Sequence, residues 1–587
     1  MKEMKEVFPL DYEKEMERSG NRELLEMLLP IVHPDLEAGD LEVLDRASFE
    51  EAGEEHLLVR EGSRKIHIWL PGRSRYRVVD LDREEFAPVI QRQISRFRES
   101  SSFETQNGKH LRYQRFGRWS GETMESIKTG RIDLLTENGT VRIRITSGDV
   151  RYVVEIDSLD LKGPKGTYII SRLNSVSYTK VPTLLGMAYW DEGGRAVPWM
   201  RFTSMEEPRG SGLGPFLADL NDHLKEFQDL HGEQARRYLV EMSRSGSLGS
   251  VLLGERYGSS IGELHGRILL DKAPAKQEKY DIGAEITRLF SREKLEITDI
   301  GSFLGLSSYY VAEMKKEFIK LLGDRERVNP VSGRRMKVLK SERAHVEGAD
   351  LLSLSILREG FIKKENSMRA RFARMRRFTG SPVVPVGVDT RLDRVEQSPS
   401  GEFIINHFDW EFHASEEKRL EKFLPLKDIA MVLNSLSKAR YLASRRYLRR
   451  SSAATGLDER QLTMLYLEYS MAKPDYSSIM ADFPLFNALG SRNAPFRYVF
   501  QASVVTSLWY ERVRNGVITG YSDMLMSMDR EDMLDYPRKA DTVEGILTIQ
   551  CMLGLSEALR AIGKGRVSSA LGLESELLNA VMIRDQA

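Results

Sequence analysis

The chain has 587 residues, of which 41% are hydrophobic and 30% charged, and its 87 basic residues equal its 87 acidic ones. This length is too great for one hydrophobic core and predicts several domains. Zero net charge gives no overall field toward nucleic acid, and a single cysteine, Cys551, excludes an internal disulfide and a cysteine-based zinc site. The charged first residues and the lack of any run of roughly 18 apolar residues predict a cytoplasmic protein without a membrane span.

Residues 1–105 are predicted to form an extra N-terminal α+β domain. Alternation of apolar and polar residues predicts strands at 56–60, 65–70 and 76–81. Apolar residues at helical spacing predict a helix over 83–97. The polar run at 99–108 then predicts a linker.

Residues 109–205 are predicted to be a second, β-rich unit. Asn138-Gly139 lies between apolar strands at 130–135 and 141–145, and this dipeptide favours a tight hairpin because it tolerates positive φ angles. A turn at Gly148-Asp149 leads to a third strand at 150–156, which makes a meander. The glycine-rich stretch 209–215 predicts a linker at the end of this unit.

Residues 216–587 are predicted to be mostly helical, with helical spacing of apolar residues at 281–290 and 428–447. The exception is segment 383–412, in which two short strands flank a polar loop that contains Asp389. A β-rich unit, a linker and a helical unit with one small hairpin form an α+β, kinase-like plan.

Several separate segments resemble the maltokinase family, which consists of bacterial and archaeal sugar kinases with an aminoglycoside-phosphotransferase-like, protein-kinase-like fold and an N-terminal cap. The segments are Tyr113-Gln-Arg-Phe-Gly-Arg-Trp-Ser-Gly-Glu122, Lys180-Val-Pro-Thr-Leu-Leu-Gly-Met187, Ile261-Gly-Glu-Leu-His265 and Leu424-Pro-Leu-Lys-Asp-Ile-Ala-Met-Val-Leu433. The last is similar to the family's Ser-Pro-Leu-Arg-Asp-Val-Ala-Gly-Met-Leu, and no gap is needed between it and the polar loop. The resemblance implies a bilobal fold, with the cap and N-lobe over 109–205 and a helical C-lobe over 216–587.

The resemblance also implies where the family's functional residues fall. Asp389 stands at the catalytic aspartate, the general base that takes the proton of the attacking sugar hydroxyl. The family's metal-binding glutamine falls on Arg394 and its metal-binding aspartate on His407, while Phe408, Asp409 and Glu411 keep the surrounding pattern. The family's phosphate-binding lysine falls on Glu155.

These substitutions predict a pseudokinase. Phosphoryl transfer relies on positive charge and positioning, and Glu155 brings a negative charge instead. Arg394 and His407 remove oxygen ligands that Mg²⁺ prefers, so neither ATP nor Mg²⁺ is expected to bind. The predicted role is to bind a maltosaccharide, or to scaffold or regulate an enzyme of maltose, trehalose or α-glucan metabolism.

The alternative is an active ATP-dependent kinase of maltose or a related sugar, which uses Mg²⁺. In that case Asp389 is the base and Asp409 or Glu411 holds the metal. Each assignment also has a purely structural alternative: Asp389 caps a turn, Glu155 lies on a solvated strand face, and His407 packs beside Phe408.

Two basic runs, 369–377 and 438–450, interleave aromatic residues with arginines and give a third hypothesis, binding of RNA or another polyanion. Solvated faces of amphipathic helices explain both runs more simply, so no nucleic-acid partner is predicted.

Overall fold

The computed structural model divides into two compact units, Met1–Arg209 with Lys272–Arg288 and Ser398–Ile404, and Gly210–Asp271 with Leu289–Gln397 and Ile405–Ala587. The structure describes residues 41–49, 54–61, 64–71, 83–105, 107–116, 119, 121–137, 140–157, 165–192, 195–244, 249–268, 289–290, 293–322, 326–328, 335–337, 351–408, 410, 422–490, 492–528, 539–563, 574, 576–578 and 580.

The first elements that the structure describes in this unit are an antiparallel sheet of three strands, in the order β1-β2-β3, and a helix. The elements are β1 (Leu41–Phe49), β2 (Glu54–Glu61), β3 (Arg64–Pro71) and α1 (Arg83–Glu99). The strands predicted at 56–60 and 65–70 and the helix predicted over 83–97 are therefore confirmed. The strand predicted at 76–81 lies outside the described residues.

The second sheet of this unit has seven antiparallel strands in the order β4-β5-β9-β10-β8-β7-β6. The strands are β4 (Ser102–Glu104), β5 (His110–Arg115), β6 (Arg131–Glu137), β7 (Thr140–Ser147), β8 (Val150–Asp157), β9 (Thr183–Glu192) and β10 (Arg195–Glu206), with helices α2 (Gly121–Thr129) and α3 (Lys165–Ser175) between them. The adjacent order β8-β7-β6 confirms the predicted meander.

The linker predicted at 99–108 is wrong in part, because β4 lies within it and pairs with β5. The ring of Phe103 packs edge-on against Tyr113 at 6.0 Å, and the Tyr113 N–H donates to the Ser101 carbonyl at 2.8 Å. These contacts stabilise an edge strand, which was not predicted because the residues around it are polar.

A cluster of buried apolar side chains connects several elements of the first unit. Val154 of β8, Phe202 of β10, Phe97 of α1 and Ala47 of β1 belong to the same cluster of buried side chains. Successive side chains of β8 lie on opposite faces of the strand. Tyr152 and Val154 point into this cluster, and Glu155 lies on the other face. The boundary between an N-terminal domain and a β-rich lobe near residue 105 stays a prediction.

The second unit is mainly helical in its described part. Its helices are α4 (Leu213–Phe227), α5 (Gly232–Arg244), α6 (Gly249–Ile268), α7 (Ile297–Leu322), α8 (Leu351–Ala373), α9 (Leu426–Thr455), α10 (Glu459–Ala472), α11 (Tyr476–Met480), α12 (Phe483–Leu489), α13 (Ala494–Ser527) and α14 (Lys539–Gly563). The helix predicted at 428–447 is confirmed within α9, whereas most of the one predicted at 281–290 lies outside the described residues. The linker predicted to reach residue 215 ends earlier, because α4 begins at Leu213 and buries Leu213 and Phe216.

Short strands complete this part of the structure. They are β11 (Gly210–Ser211), β12 (Glu326–Val328), β13 (Arg335–Lys337), β14 (Val384–Pro385), β15 (Glu396–Gln397) and β17 (Lys422–Phe423), whereas β16 (Phe403–Ile404) belongs to the first unit. β14 pairs with β17, and β15 pairs with β11.

Helices α6 and α13 approach each other through glycines. A Cβ added at Gly258 of α6 would lie 2.0 Å from the carbonyl oxygen of Val517, and one added at Gly520 of α13 would lie 2.0 Å from that of Glu255. The two backbones are therefore in direct contact, which side chains larger than hydrogen would prevent.

Among the described residues, one helical stretch, Thr542–Ile562 in α14, is long and apolar enough to cross a membrane. Because 78% of its most apolar window is buried inside the protein, it has the character of a core helix.

Candidate functional site

The loop that carries Asp389 is fixed through its main chain. The Asp389 N–H donates to the carbonyl of His407 at 2.9 Å, and the Trp410 N–H donates to the carbonyl of Gly387 at 3.0 Å. The segments before and after the predicted hairpin therefore run side by side, with β14 just upstream. This arrangement places Asp389 and His407 at neighbouring positions.

The carboxylate of Asp389 is occupied by Arg391. The Arg391 Nε donates to Oδ1 at 2.9 Å, and Nη2 donates to Oδ2 at 2.6 Å, which is the bidentate geometry of a strong ion pair. The backbone N–H of Arg391 also donates to Oδ1 at 3.2 Å, so Asp389 caps its own turn. Only 4% of Asp389 is exposed. Asp389 therefore has the geometry of a residue that caps a turn, which was the structural alternative to a catalytic role.

Electrostatics keep Asp389 ionised. Burial by itself raises the pKa of Asp389, but the charge and hydrogen bonds of Arg391 outweigh it and hold this pKa below its ordinary value. For the same reason the pKa of Arg391 lies well above its usual range, since Asp389 and Glu557 overcome the effect of burial. A carboxylate with a lowered pKa is a weak proton acceptor.

A second carboxylate holds Arg391 from the other side. Its Nη1 donates to Glu557 Oε2 at 3.0 Å, and the other oxygen of Glu557 accepts from Trp410 Nε1 at 3.2 Å. Arg560, one turn further along α14, lies 3.3 Å from Glu557. Sequence reasoning missed Arg391 and Glu557 as members of this site.

Two of the family-like segments are in contact beside the loop. His265 of the Ile261–His265 segment contacts Asp428 of the Leu424–Leu433 segment, with Nε2 2.8 Å from Oδ2. The other ring nitrogen of His265 is 3.0 Å from the Tyr521 hydroxyl. The carbonyl of Asp428 accepts from Thr390 Oγ1 at 2.7 Å. This buried chain connects α6, α9 and α13 to the residue after Asp389.

Lys427 reinforces the same connection. Its side chain is fully buried, and Nζ donates to the carbonyls of Val386 and Val388 at 2.9 Å each. Nζ is also 2.6 Å from Asp428 Oδ1 and 5.0 Å from the centre of the Trp410 ring. A buried ammonium thus fastens the strand that leads into Asp389.

A further charged cluster lies on the α9 side of the loop. Asp393 pairs with Lys438 at 3.0 Å, and Asn434 Nδ2 donates to Glu576 Oε2 at 2.5 Å. Burial raises the pKa of Glu576 to about 7. Burial also acts on Asp393, but the charge of Lys438 prevails and lowers the pKa of that carboxyl.

The raised pKa of Glu576 predicts a specific dependence of stability on pH. In the unfolded chain the pKa of a glutamate is about 4.3. Between this pH and the folded pKa of about 7, Glu576 is protonated in the folded protein but ionised in the unfolded chain. The free energy of unfolding therefore falls as the pH rises through this range. Glu576→Gln removes this loss. We expect the free energy of unfolding of the variant, minus that of the wild type, to grow by about 3 kcal/mol between about pH 4 and pH 8.

Denaturant unfolding over this pH range measures the difference between the two proteins. Other carboxylates, whose lowered pKa values stabilise the fold at higher pH, cancel in that difference. The exposed Glu241→Gln variant is the control and should follow the wild type. A difference that does not change with pH would contradict the prediction.

Glu155, at the position of the family's phosphate-binding lysine, lies between two arginines. It forms ion pairs with Arg142 on β7 and Arg201 on β10, which stand opposite it in the strand register. Glu155 is only 5% exposed, so the alternative of a solvated strand face is wrong. The ion pairs explain why this carboxylate tolerates burial.

The residues at the family's metal positions do not fit Mg²⁺. Arg394 is a half-buried cation, and His407 is half-buried and offers nitrogen rather than oxygen. Asp389 is already bound by Arg391. Asp409 and Glu411 lie outside the described residues, and among the residues that are described there is no group of three or more metal-binding side chains.

Most cations of the two basic runs have acidic partners within the protein. In the first run, Arg371 and Arg374 pair with Glu544. In the second, Arg445 pairs with Glu459 and Glu574. This internal pairing reduces the positive charge available to a polyanion. It supports the interpretation that both basic runs are faces of amphipathic helices.

Comparison of structures gives the class of fold. The chain is similar to a glucosamine kinase in complex with glucosamine, ADP and inorganic phosphate, with a TM-score of 0.53 and 12% sequence identity over 93% of this chain and 95% of that one. Crystal form A of glucosamine kinase gives a TM-score of 0.52 and 13% identity over 95% and 97% of the two chains. The α+β, kinase-like fold is thereby confirmed.

At this level of identity the likeness concerns the fold alone, and membership of the maltokinase family stays a prediction. No protein-family profile matches the chain, and no curated protein sequence is significantly similar to it.

Proposed function

We propose that this chain is a pseudokinase, a kinase-fold protein that has lost phosphoryl transfer. The observation that carries the proposal is the bidentate ion pair between Arg391 and Asp389. A general base must present a free lone pair to the hydroxyl it deprotonates. Asp389 is buried, and its oxygens accept from a guanidinium whose own charge is further held by Glu557.

The charges around the loop support the same conclusion. Arg391, Arg394 and His407 bring cations and a nitrogen ligand to the place where a kinase of this family would hold Mg²⁺, and these groups repel or fail to coordinate the metal. In the first unit, Glu155 brings a carboxylate where the family has a lysine for the phosphates. Each of these differences alone would weaken nucleotide binding, and all of them act in the same direction.

The proposed role is that of a binding or regulatory protein in the cytoplasm. By analogy with the family it resembles, the partner is a maltosaccharide or an enzyme of maltose, trehalose or α-glucan metabolism. Calorimetric titration of these saccharides into the full chain tests the first possibility directly.

A second candidate is an active ATP-dependent sugar kinase. It is favoured by the similarity to glucosamine kinase along almost the whole of both chains. In this case Arg391 leaves Asp389 when substrates bind, Asp389 acts as base, and Asp409 or Glu411 provides oxygen ligands for Mg²⁺. Maltose and glucosamine are the sugars to test first.

ATP binding by calorimetry, with and without Mg²⁺, distinguishes the two candidates. For a pseudokinase we expect no Mg²⁺-dependent heat and no transfer of phosphate to either sugar, in the wild type and in Arg391→Met alike, because freeing Asp389 does not restore a metal site. Asp389→Asn is the matched control. Micromolar binding that requires Mg²⁺, with sugar phosphorylation that Asp389→Asn abolishes, would overturn the pseudokinase proposal and establish the kinase.

A further inference from the structure

Arg440 is a buried cation of α9 that has no acidic partner among the described residues. It lies in the middle of the helix and is 6% exposed. Lys427, Lys438 and Arg445 on the same helix each pair with a carboxylate within 4 Å. No carboxylate among the described residues lies within that distance of Arg440. A buried charge without a counter-charge is costly, so its surroundings must compensate for it.

The hydrogen bonds of Arg440 leave most of its donors unused. Its Nη2 donates to the Ser507 hydroxyl at 2.6 Å, whereas its buried Nε has no acceptor in the described part of the chain. A guanidinium has five N–H donors. The Ser507 hydroxyl, which accepts this bond, has no described acceptor for its own proton.

The neighbouring residues of α13 add a further donor. Ser503 lies one turn before Ser507 and therefore on the same side of α13. Its Oγ is fully buried and has no partner among the described residues. Thr506 is satisfied, because it donates to the Ala502 carbonyl at 2.7 Å and is 3.4 Å from the Ser444 hydroxyl. Between α9 and α13 there is thus one positive charge and several buried donors without acceptors.

We propose that a small inorganic anion, with chloride as the first candidate, binds between α9 and α13 at Arg440, Ser503 and Ser507. An anion accepts hydrogen bonds from all sides and neutralises the guanidinium. A water molecule satisfies this group of donors less well, because each water brings two protons that need acceptors of their own. The site is independent of the Asp389 loop and of any phosphoryl transfer.

Thermal unfolding of the full chain tests the proposal. The midpoint is measured in sodium chloride, sodium phosphate and sodium gluconate at equal ionic strength, because a ligand of the folded state raises the midpoint in a saturable way. We expect the wild type to unfold several degrees higher in chloride than in gluconate. A rise in phosphate alone would assign the site to an oxyanion. Equal midpoints in all three salts would overturn the proposal.

Two variants connect the effect to the site. Arg440→Met should lose the anion-specific increment, and Arg446→Met, which removes an exposed arginine from the same helix, should keep it. An increment that survives in Arg440→Met would also overturn the proposal. If Arg440→Met does not fold, Ser507→Ala replaces it. This variant keeps the charge but loses one ligand, so half-saturation should need several-fold more anion, and an unchanged requirement would contradict the site.

Discussion

Replacing Gly258 with alanine is expected to lower the free energy of unfolding by more than about 3 kcal/mol. The added Cβ would lie 2.0 Å from the Val517 carbonyl oxygen and 2.9 Å from its carbonyl carbon. Both atoms belong to the backbone of α13, so the clash cannot be relieved by a side-chain rotation. The two helices must separate, and their shared packing loses its close contact along several turns.

The direction of this result is informative, because helix propensity acts the other way. Alanine is more favourable than glycine inside a helix by about 1 kcal/mol. Gly301→Ala in α7 is the matched control, since Gly301 is exposed and its added Cβ would meet nothing within 4 Å. Urea unfolding should show Gly301→Ala slightly stabilised and Gly258→Ala strongly destabilised. Equal small effects at both positions would show that α6 and α13 are not in backbone contact.

This contact also bears on the candidate site. His265 stands on α6 and Tyr521 on α13, and their hydrogen bond of 3.0 Å depends on the close approach of the two helices. Glycines therefore set the distance at which the chain from Tyr521 through His265 to Asp428 can form. The glycines at 254, 258 and 262 are four residues apart and so lie on one face of α6, a signal that the sequence analysis did not use.

Local signals predicted much of the first unit. The Asn138-Gly139 dipeptide predicted that the strands now seen as β6 and β7 pair, and the turn predicted at Gly148-Asp149 connects β7 with β8. Counting back from that second turn places Arg142 opposite Glu155, so the strand register implied one of the two ion pairs of Glu155, although the sequence analysis did not draw it. The other, with Arg201, depends on the pairing of β10 with β8, which the order of strands along the chain does not reveal.

The candidate site was only partly predictable for the same reason. Asp389 and His407 were identified through the resemblance to the maltokinase family, and the structure brings their backbones together. Arg391 is two residues from Asp389, yet sequence spacing alone does not show that a side chain turns back onto its neighbour. Glu557 is far away along the chain, and no local pattern connects it with Arg391. The partners that decide whether Asp389 is free are thus set by tertiary packing.

The fully buried Lys427 shows how strongly the Asp389 loop depends on such packing. Its ammonium donates to the carbonyls of Val386 and Val388, on either side of Gly387, and pairs with Asp428. If the Lys427 ammonium is removed, both carbonyls and one carboxylate oxygen of Asp428 lose their contact with it. Breaking a buried ion pair from one side costs about 3–5 kcal/mol, because the remaining charge stays buried and uncompensated.

Lys427→Met is therefore expected to destabilise the protein by about 3–5 kcal/mol and to loosen the loop. Methionine nearly keeps the volume of the side chain, so the loss reports the charge and its hydrogen bonds rather than a cavity. Lys473→Met, which breaks a partly exposed pair with Asp482, should cost no more than about 1 kcal/mol. Hydrogen exchange of the Asp389 amide, which donates to His407, should quicken in Lys427→Met beyond what the global loss of stability explains. If that amide instead follows global unfolding in both variants, Lys427 stabilises the fold without holding the loop, and the conformation of Asp389 is set by Arg391 alone.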